Sequence, residues 1–241
     1  MVLNPSLTQE EIQRHQRLIR EYFAEVRSAE PVDIEFYDNG NEKGVYKVSV
    51  GNERFMAAAA ARKREKLLLE EYNVLHELWG NTPEFFPRPI SHYRPKEVET
   101  LGDLMIMELL PHLNLKKADR HVYTAEGGFY RALAYELGKA AVIIQAKTGR
   151  FSSDPNDGNI LVRPTFDSLD LRFCDAIQFI PGTLEDAAIT YLVDRNNRPE
   201  PYRFIKRFRA GLVDGMMVTQ EISRDEAWRS TEFVRKYNDV F

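Results

Sequence analysis

The chain carries a single cysteine, Cys174, in 241 residues. A lone thiol excludes an internal disulfide framework and any zinc site built on cysteines. Excess charge of one sign is also missing. Lys and Arg number 33 against 37 Asp and Glu, for a formal net charge of −4, which argues against nucleic acid as the main partner. No apolar run approaches the ~18 residues that a membrane helix needs, and no signal peptide opens the chain. The expectation is therefore a cytoplasmic protein without a membrane partner. Repeats and low-complexity tracts are absent apart from five alanines, Ala57 to Ala61.

What is present is ordinary for a soluble globular protein, with 43% apolar and 29% charged residues. The length suits one large domain or two small lobes around a shared cleft.

The most informative stretch runs from Arg150 to Phe179. Two short apolar runs, Ile160-Leu161-Val162 and Leu169 to Cys174, flank a break at Pro164, Thr165 and Asp167, which reads as paired strands. Asp154 opens a tight Asp-Pro-Asn-Asp-Gly segment, Asn159 closes it five residues on, and Asp175 follows the second run 21 residues after Asp154. A polar turn between two core strands would use the same Asp-Pro and Asp-Gly pairs. The alternative is a phosphoryl-transfer set. One carboxylate accepts a hydroxyl proton, and an amide and a second carboxylate hold Mg²⁺ on nucleotide phosphates. Magnesium needs oxygen ligands and rarely takes a full protein cage, so this donor set with phosphates suffices.

On these residues the chain resembles the protein-kinase-like superfamily. The match is DPNDGN followed by Ile160-Leu161, with Asp175 in FCDA. Gly158 before Asn159 is similar to the aminoglycoside-phosphotransferase and other small-molecule kinase branches. Two departures stand out. Ser152-Ser153 precede Asp154 where the family has His-Arg or His-Gly, and Ala176-Ile177 follow Asp175 where it has Phe-Gly. The resemblance spans residues 32 to 180. It implies an α+β, two-lobed protein-kinase-like fold, with a small antiparallel-sheet N-lobe carrying one long helix and a mainly helical C-lobe. The implied division is an N-terminal helix (1–30), an N-lobe (31–110) and a C-lobe with the catalytic loop (111–241).

The remaining elements come in the order that this resemblance requires. Residues 8–28 read as an amphipathic helix, with a capping box of Thr8 and Glu11 and Ile12, Ile19, Tyr22, Phe23 and Val26 at helical spacing. Residues 32–50 read as a hairpin around DNGNEKG. Its Gly40 and Gly44 are the candidates for a loop over ATP phosphates, where a missing Cβ lets backbone N–H groups approach. Asn-Gly is equally a plain hairpin turn.

A kinase-like third strand should carry a lysine for the α- and β-phosphates. This one offers Phe55-Met56 and then alanines. Lys63 is the favoured substitute, with Lys66 and Lys47 as alternatives. Loss of catalysis with retention of the fold is the other explanation, as is an alanine standing in for a lysine. A helix from Ala58 to Trp79 is expected from its Ala, Leu, Glu and Lys content, stopped by Gly80-Asn81 and Pro83. Within it Glu71, or its neighbour Glu70, is the implied partner of the lysine, although a solvated helix face explains these charges as well.

Phe85 to Tyr93 and Leu101 to Leu110 read as strands. By the resemblance, Met105, Ile106 and Met107 would back an adenine pocket. Glu108 and Leu109 would form the hinge that reads the adenine edge. Phe129 to Lys147 reads as a long helix stopped by Gly149. Helices at Leu184–Val193, Tyr202–Val213 and Trp228–Tyr237 would complete the C-lobe. The cluster of Arg203, Lys206, Arg207 and Arg209 reads as a solvated face or as a recruiter of something acidic. No long activation segment follows Asp175.

The implied function is an ATP-dependent phosphotransferase acting on a hydroxyl of a small molecule or protein. Asp154 is the catalytic base, and Asn159 and Asp175 are the Mg²⁺ ligands. The alternative is a pseudokinase that binds nucleotide or protein without turnover, and a third reading transfers AMP instead of phosphate. The acceptor is left open among protein hydroxyls, aminoglycosides, choline-like alcohols and sugars, as is the oligomeric state.

Overall fold

The computed structural model of the chain describes residues 7–27, 30–39, 43–60, 65–95, 102–116, 118, 128–165, 168–195 and 201–238. Among them the architecture is α+β, with seven α-helices and ten mostly short strands, every strand pair antiparallel. The chain divides into two compact units, the first comprising Met1–His76 and Pro87–Leu110, the second Glu77–Phe86 and Pro111–Phe241.

The first unit is a five-stranded sheet in the order β1-β2-β3-β5-β4. Its strands are β1 (Val32–Asn39), β2 (Lys43–Val50), β3 (Glu53–Ala60), β4 (Pro89–Tyr93) and β5 (Leu104–Glu108). Helix α1 (Gln9–Arg27) covers one face. Its start is fixed by a capping box, in which the Glu11 N–H donates to Thr8 Oγ1 at 3.2 Å and the Thr8 N–H donates to Glu11 Oε2 at 2.8 Å. Leu18, Ile19, Tyr22 and Phe23 fall on one stripe and are nearly fully buried against Tyr46, Val48, Phe55, Ala57 and Ile106. Each such side chain contributes about 1.5–3 kcal/mol on leaving water. The helix is thereby part of the first unit's core.

Helix α2 spans Glu65–Asn81. The expectation that it begins at Ala58 is corrected, because Ala57 to Ala60 are the end of β3. All four pair with β2, and Ala57 to Ala59 pair with β5 on the other side, and all four are at most 3% exposed. Alanine's helix preference is a few tenths of a kcal/mol per residue and is overridden by two ladders of hydrogen bonds. The small side chains let both faces of the strand pack closely.

The second unit is organised by helix α3 (Gly128–Thr148), crossed by helix α5 (Pro201–Gln220). The crossing is close because glycines meet backbone. A Cβ on Gly138 would stand 2.1 Å from the Phe208 carbonyl oxygen, and one on Gly211 would stand 2.0 Å from the Tyr135 carbonyl oxygen. Gly149, with φ of +68°, ends α3 in the left-handed conformation that suits glycine. Helix α4 (Leu184–Arg195) lies between them in sequence. The expected last helix is two, α6 (Arg224–Ser230) and α7 (Glu232–Asn238), broken at Thr231.

Two small sheets of the second unit hold the loop of interest. Strand β7 (Arg150–Ser152) pairs with β10 (Phe179–Pro181). Strand β8 (Ile160–Pro164) lies between β6 (Leu113–Asn114) and β9 (Leu169–Phe173). Among the described residues, no helix is long and apolar enough to cross a membrane.

Candidate functional site

The candidate residues gather into two constellations, one in each unit. The first is on the sheet face opposite α1. Side chains alternate along a strand, so Gly44, Tyr46, Val48 and Val50 point into the α1 core while Lys43, Val45, Lys47 and Ser49 point the other way. In the β2–β3 register Lys43 is directly opposite Ala60, and Val45 is opposite Ala58. Lys43 and Ala60 therefore share one face of the sheet, and the small alanine leaves room for the lysine beside it.

There Lys43 Nζ forms an ion pair with Glu71 Oε1 of α2, with side chains 16% and 1% exposed. A carboxylate this deep is stable as an anion only with a partner, and a desolvated pair keeps far more of its attraction than a surface pair. Neither composition nor periodicity singled out Lys43. The available signal was the strand register, which aligns the lysine after the DNGNE turn with the alanine run.

The other lysines are placed differently. Lys63 lies outside the described residues, as does Gly40. Lys66 is on α2. Lys47 stands at 4.7 Å over the Tyr37 ring and 3.9 Å from Glu35, on the same strand face but four residues along. Glu70 is exposed. Gly44 is inside β2 and serves packing there. A Cβ on it would come within 2.7 Å of Tyr46 Oη and 2.9 Å of His15 Nδ1.

His15 of α1 is 2% exposed and bridges Tyr46 Oη at 2.9 Å and the Ala60 carbonyl at 3.1 Å. The carbonyl can only accept, so Nε2 carries the proton and Nδ1 accepts from the Tyr46 hydroxyl. Burial holds the imidazole below its ordinary value of 6.5. Helix α1 is thus tied by hydrogen bonds to the strand end that faces Lys43.

Met105 and Met107 lie on the Lys43 face, in register with Ala58 and Met56, while Ile106 belongs to the α1 core. A strand cannot turn three consecutive side chains to one side, so the expected methionine–isoleucine wall is two methionines. Glu108 is exposed, and its N–H already donates to the Arg88 carbonyl at 2.9 Å. Leu109 follows it, half-buried, beyond the end of β5.

The second constellation is the segment from Ser152 to Asn159 with Asp175. Ser152 pairs with Phe179 in the β7–β10 ladder, and the Ser153 N–H donates to the Gln178 carbonyl at 2.8 Å. This fixes the chain just before Asp154. The loop itself is a web of short polar bonds. Asn156 Nδ2 donates to Asp154 Oδ2 at 2.8 Å, and the Gly158 N–H donates to Asn156 Oδ1 at 2.7 Å. From below, Asn114 Nδ2 donates to the Gly158 carbonyl.

Asn159 Nδ2 donates to the Asp154 carbonyl at 3.0 Å and reaches Asp154 Oδ2 at 3.3 Å. Both of those atoms are acceptors, so the amide orientation is fixed and Oδ1 is the oxygen left to face a cation. The Asn159 carbonyl accepts from the Cys174 N–H at 3.1 Å. One backbone bond thus brings Asp175 next to the Asn159 segment, across the β8–β9 hairpin. Asp154, Asn159 and Asp175 are all half-buried, dry enough to strengthen a charge interaction and open enough to receive a ligand.

Among the described residues no three His, Cys, Asp or Glu side chains gather to hold a metal by themselves. One amide oxygen and one carboxylate do not suit a transition metal that needs nitrogen or sulfur. They do suit Mg²⁺, which keeps waters and takes substrate phosphates as further ligands.

No protein-family model matches the chain, and no curated protein matches it either.

Proposed function

We propose that the protein is an ATP-dependent phosphotransferase of compact, two-lobed protein-kinase-like fold. The observation that carries this reading is the bonded loop in which Asn159 is tied to Asp154 through its side chain and to the Asp175 segment through its backbone. The side-chain tie to Asp154 and the backbone tie to the Asp175 segment together support this reading over a plain turn. Asp154 accepts the proton of an attacking hydroxyl. Asn159 and Asp175 hold Mg²⁺, which neutralises charge on the nucleotide phosphates. Phosphoryl transfer asks little covalent chemistry of the protein, so most of the rate comes from this positioning.

The pseudokinase reading rests on the missing strand lysine and on the absent histidine before Asp154. The Lys43–Glu71 pair, a lysine on the strand next to β3 held by a buried carboxylate, supports the active-enzyme reading over this one. The test is Mg²⁺-ATP turnover by Asp175→Ala. The variant is expected to fold as the native chain does and to lose turnover by at least two orders of magnitude. Unchanged turnover in a folded variant would overturn the assignment.

A further inference from the structure

The second unit contains a cavity of about 680 Å³ that none of these residues lines. One wall is α3, which contributes Arg131, Tyr135, Glu136 and Lys139. Arg207 comes from α5 and Ser168 from the turn between β8 and β9. Arg131 and Lys139 are eight residues apart, two turns or about 12 Å along the helix. A cation therefore stands towards each end of the wall. Arg207 precedes Phe208, whose carbonyl packs on Gly138, which explains how α5 delivers its guanidinium to the α3 surface.

The cations on this wall are not used by the fold. Among the described residues, none of Arg131, Lys139 and Arg207 takes part in an ion pair or a side-chain hydrogen bond. Arg209, two residues on, is the contrast. It donates to Thr231 Oγ1, the Trp228 carbonyl and Glu232 Oε2 at 2.8–3.1 Å and stacks 4.6 Å over the Trp228 ring. Arg209 is thus a structural arginine, and the basic run on α5 divides into a packed residue and one turned to the cavity.

The wall holds three cations (+3) and one acid, Glu136 (−1), for a local charge of +2 in a chain whose net charge is −4. Burial also holds the Glu136 carboxyl above its usual range, against the pull of Lys139. A concave wall with a net positive charge concentrates anions.

We infer that this cavity binds the phosphomonoester of a small hydroxyl-bearing molecule. A phosphomonoester carries about −1.5 to −2 charge at neutral pH and presents three acceptor oxygens, which suits a pair of arginines and a lysine. The volume is in the ~300–1,000 Å³ range of small-molecule sites, so there is room for a body beyond the phosphate. Ser168 and Glu136 offer hydrogen bonds to hydroxyls of that body. The Tyr135 ring is a fixed surface, because its hydroxyl donates to Asp214 Oδ2 at 2.6 Å. This inference stands apart from the phosphotransfer reading and uses none of its residues.

The test is calorimetric titration of the full chain with glucose 6-phosphate, AMP and inorganic phosphate, beside unphosphorylated glucose and adenosine, all with chelator present so that magnesium-dependent binding is silent. Sugar phosphate or nucleotide monophosphate is expected to bind, and the phosphate-free partner of each is not. Asp175→Ala is expected to bind unchanged. Arg131→Ala combined with Arg207→Ala is expected to weaken binding at least tenfold. Both arginines are exposed, so this variant should fold, and Lys139→Gln gives a second, milder reading with a smaller loss. No binding of any phosphate-bearing probe at about 10 mM would overturn the inference. So would binding that survives the double variant, or binding that is lost in Asp175→Ala.

Discussion

Removing either member of the Lys43–Glu71 pair leaves the other charge in a place built for two. Breaking a buried pair from one side costs about 3–5 kcal/mol. Lys43 retains some access to water at 16% exposure, so Glu71→Gln belongs near the bottom of that range, about 3 kcal/mol. Lys43→Met leaves the Glu71 carboxylate at 1% exposure without its counter-charge. A cost of about 3 kcal/mol again follows. The double variant Lys43→Met with Glu71→Gln buries no charge. Its cost is expected to be about 3 kcal/mol, not the sum of about 6, which gives a coupling energy of about 3 kcal/mol. Urea unfolding of the four proteins at neutral pH measures each term from the midpoint and slope. Single effects that add to within about 0.5 kcal/mol would refute the claim that the two charges are one buried unit.

Three further outcomes follow from named contacts. Gly138→Ala drives a Cβ to 2.1 Å from the Phe208 carbonyl and should cost about 3 kcal/mol in urea unfolding, the upper end for overpacking, since backbone cannot step aside. His15 has a folded pKa below 6.5, so its contribution to stability is complete above pH 6.5 and is lost as pH falls below it towards the folded value. Burial lowers His112 in the same direction. The native chain should therefore lose stability on acidification from pH 7, and His15→Gln should flatten that slope without abolishing it. An unchanged slope would remove His15 from the account. Asp214→Asn should bring the Tyr135 phenol down from about 12, because the carboxylate that accepts its proton is the first cause of the rise, and a spectrophotometric titration of tyrosine measures it.

Much of the fold was legible because its signals are local. The capping box at Thr8 and Glu11, the alternation through β1 and β2, and the glycine that ends α3 each act within a few residues, and the structure has all three. The alanine run misled because its conformation is decided by partners 10 to 50 residues away in β2 and β5. The short strands β6, β7 and β10, two or three residues each, carry too little pattern to be read. They matter all the same, since β7 and β10 hold the chain just before Asp154. Lys43 was missed for a related reason. Its relation to Glu71 depends on which residue of β2 faces Ala60, and register is a tertiary fact. The basic cavity was half visible. Arg207 stood out in a cluster, but only the crossing of α3 and α5 separates it from Arg209 and adds Arg131 and Lys139.

The proposed phosphotransfer rests on a magnesium nucleotide held by Asn159 and Asp175. The most direct measurement is a thermal melt with Mg²⁺-ATP, run beside Mg²⁺ alone and ATP with chelator, on the native chain and on Asp175→Ala. A ligand that binds only the folded state stabilises it by about 2.7 kcal/mol at one hundred times its dissociation constant. The expected result is a rise in Tm that needs both metal and nucleotide and that is lost in Asp175→Ala. No rise at millimolar nucleotide, or a rise of equal size with chelator and in the variant, would contradict it.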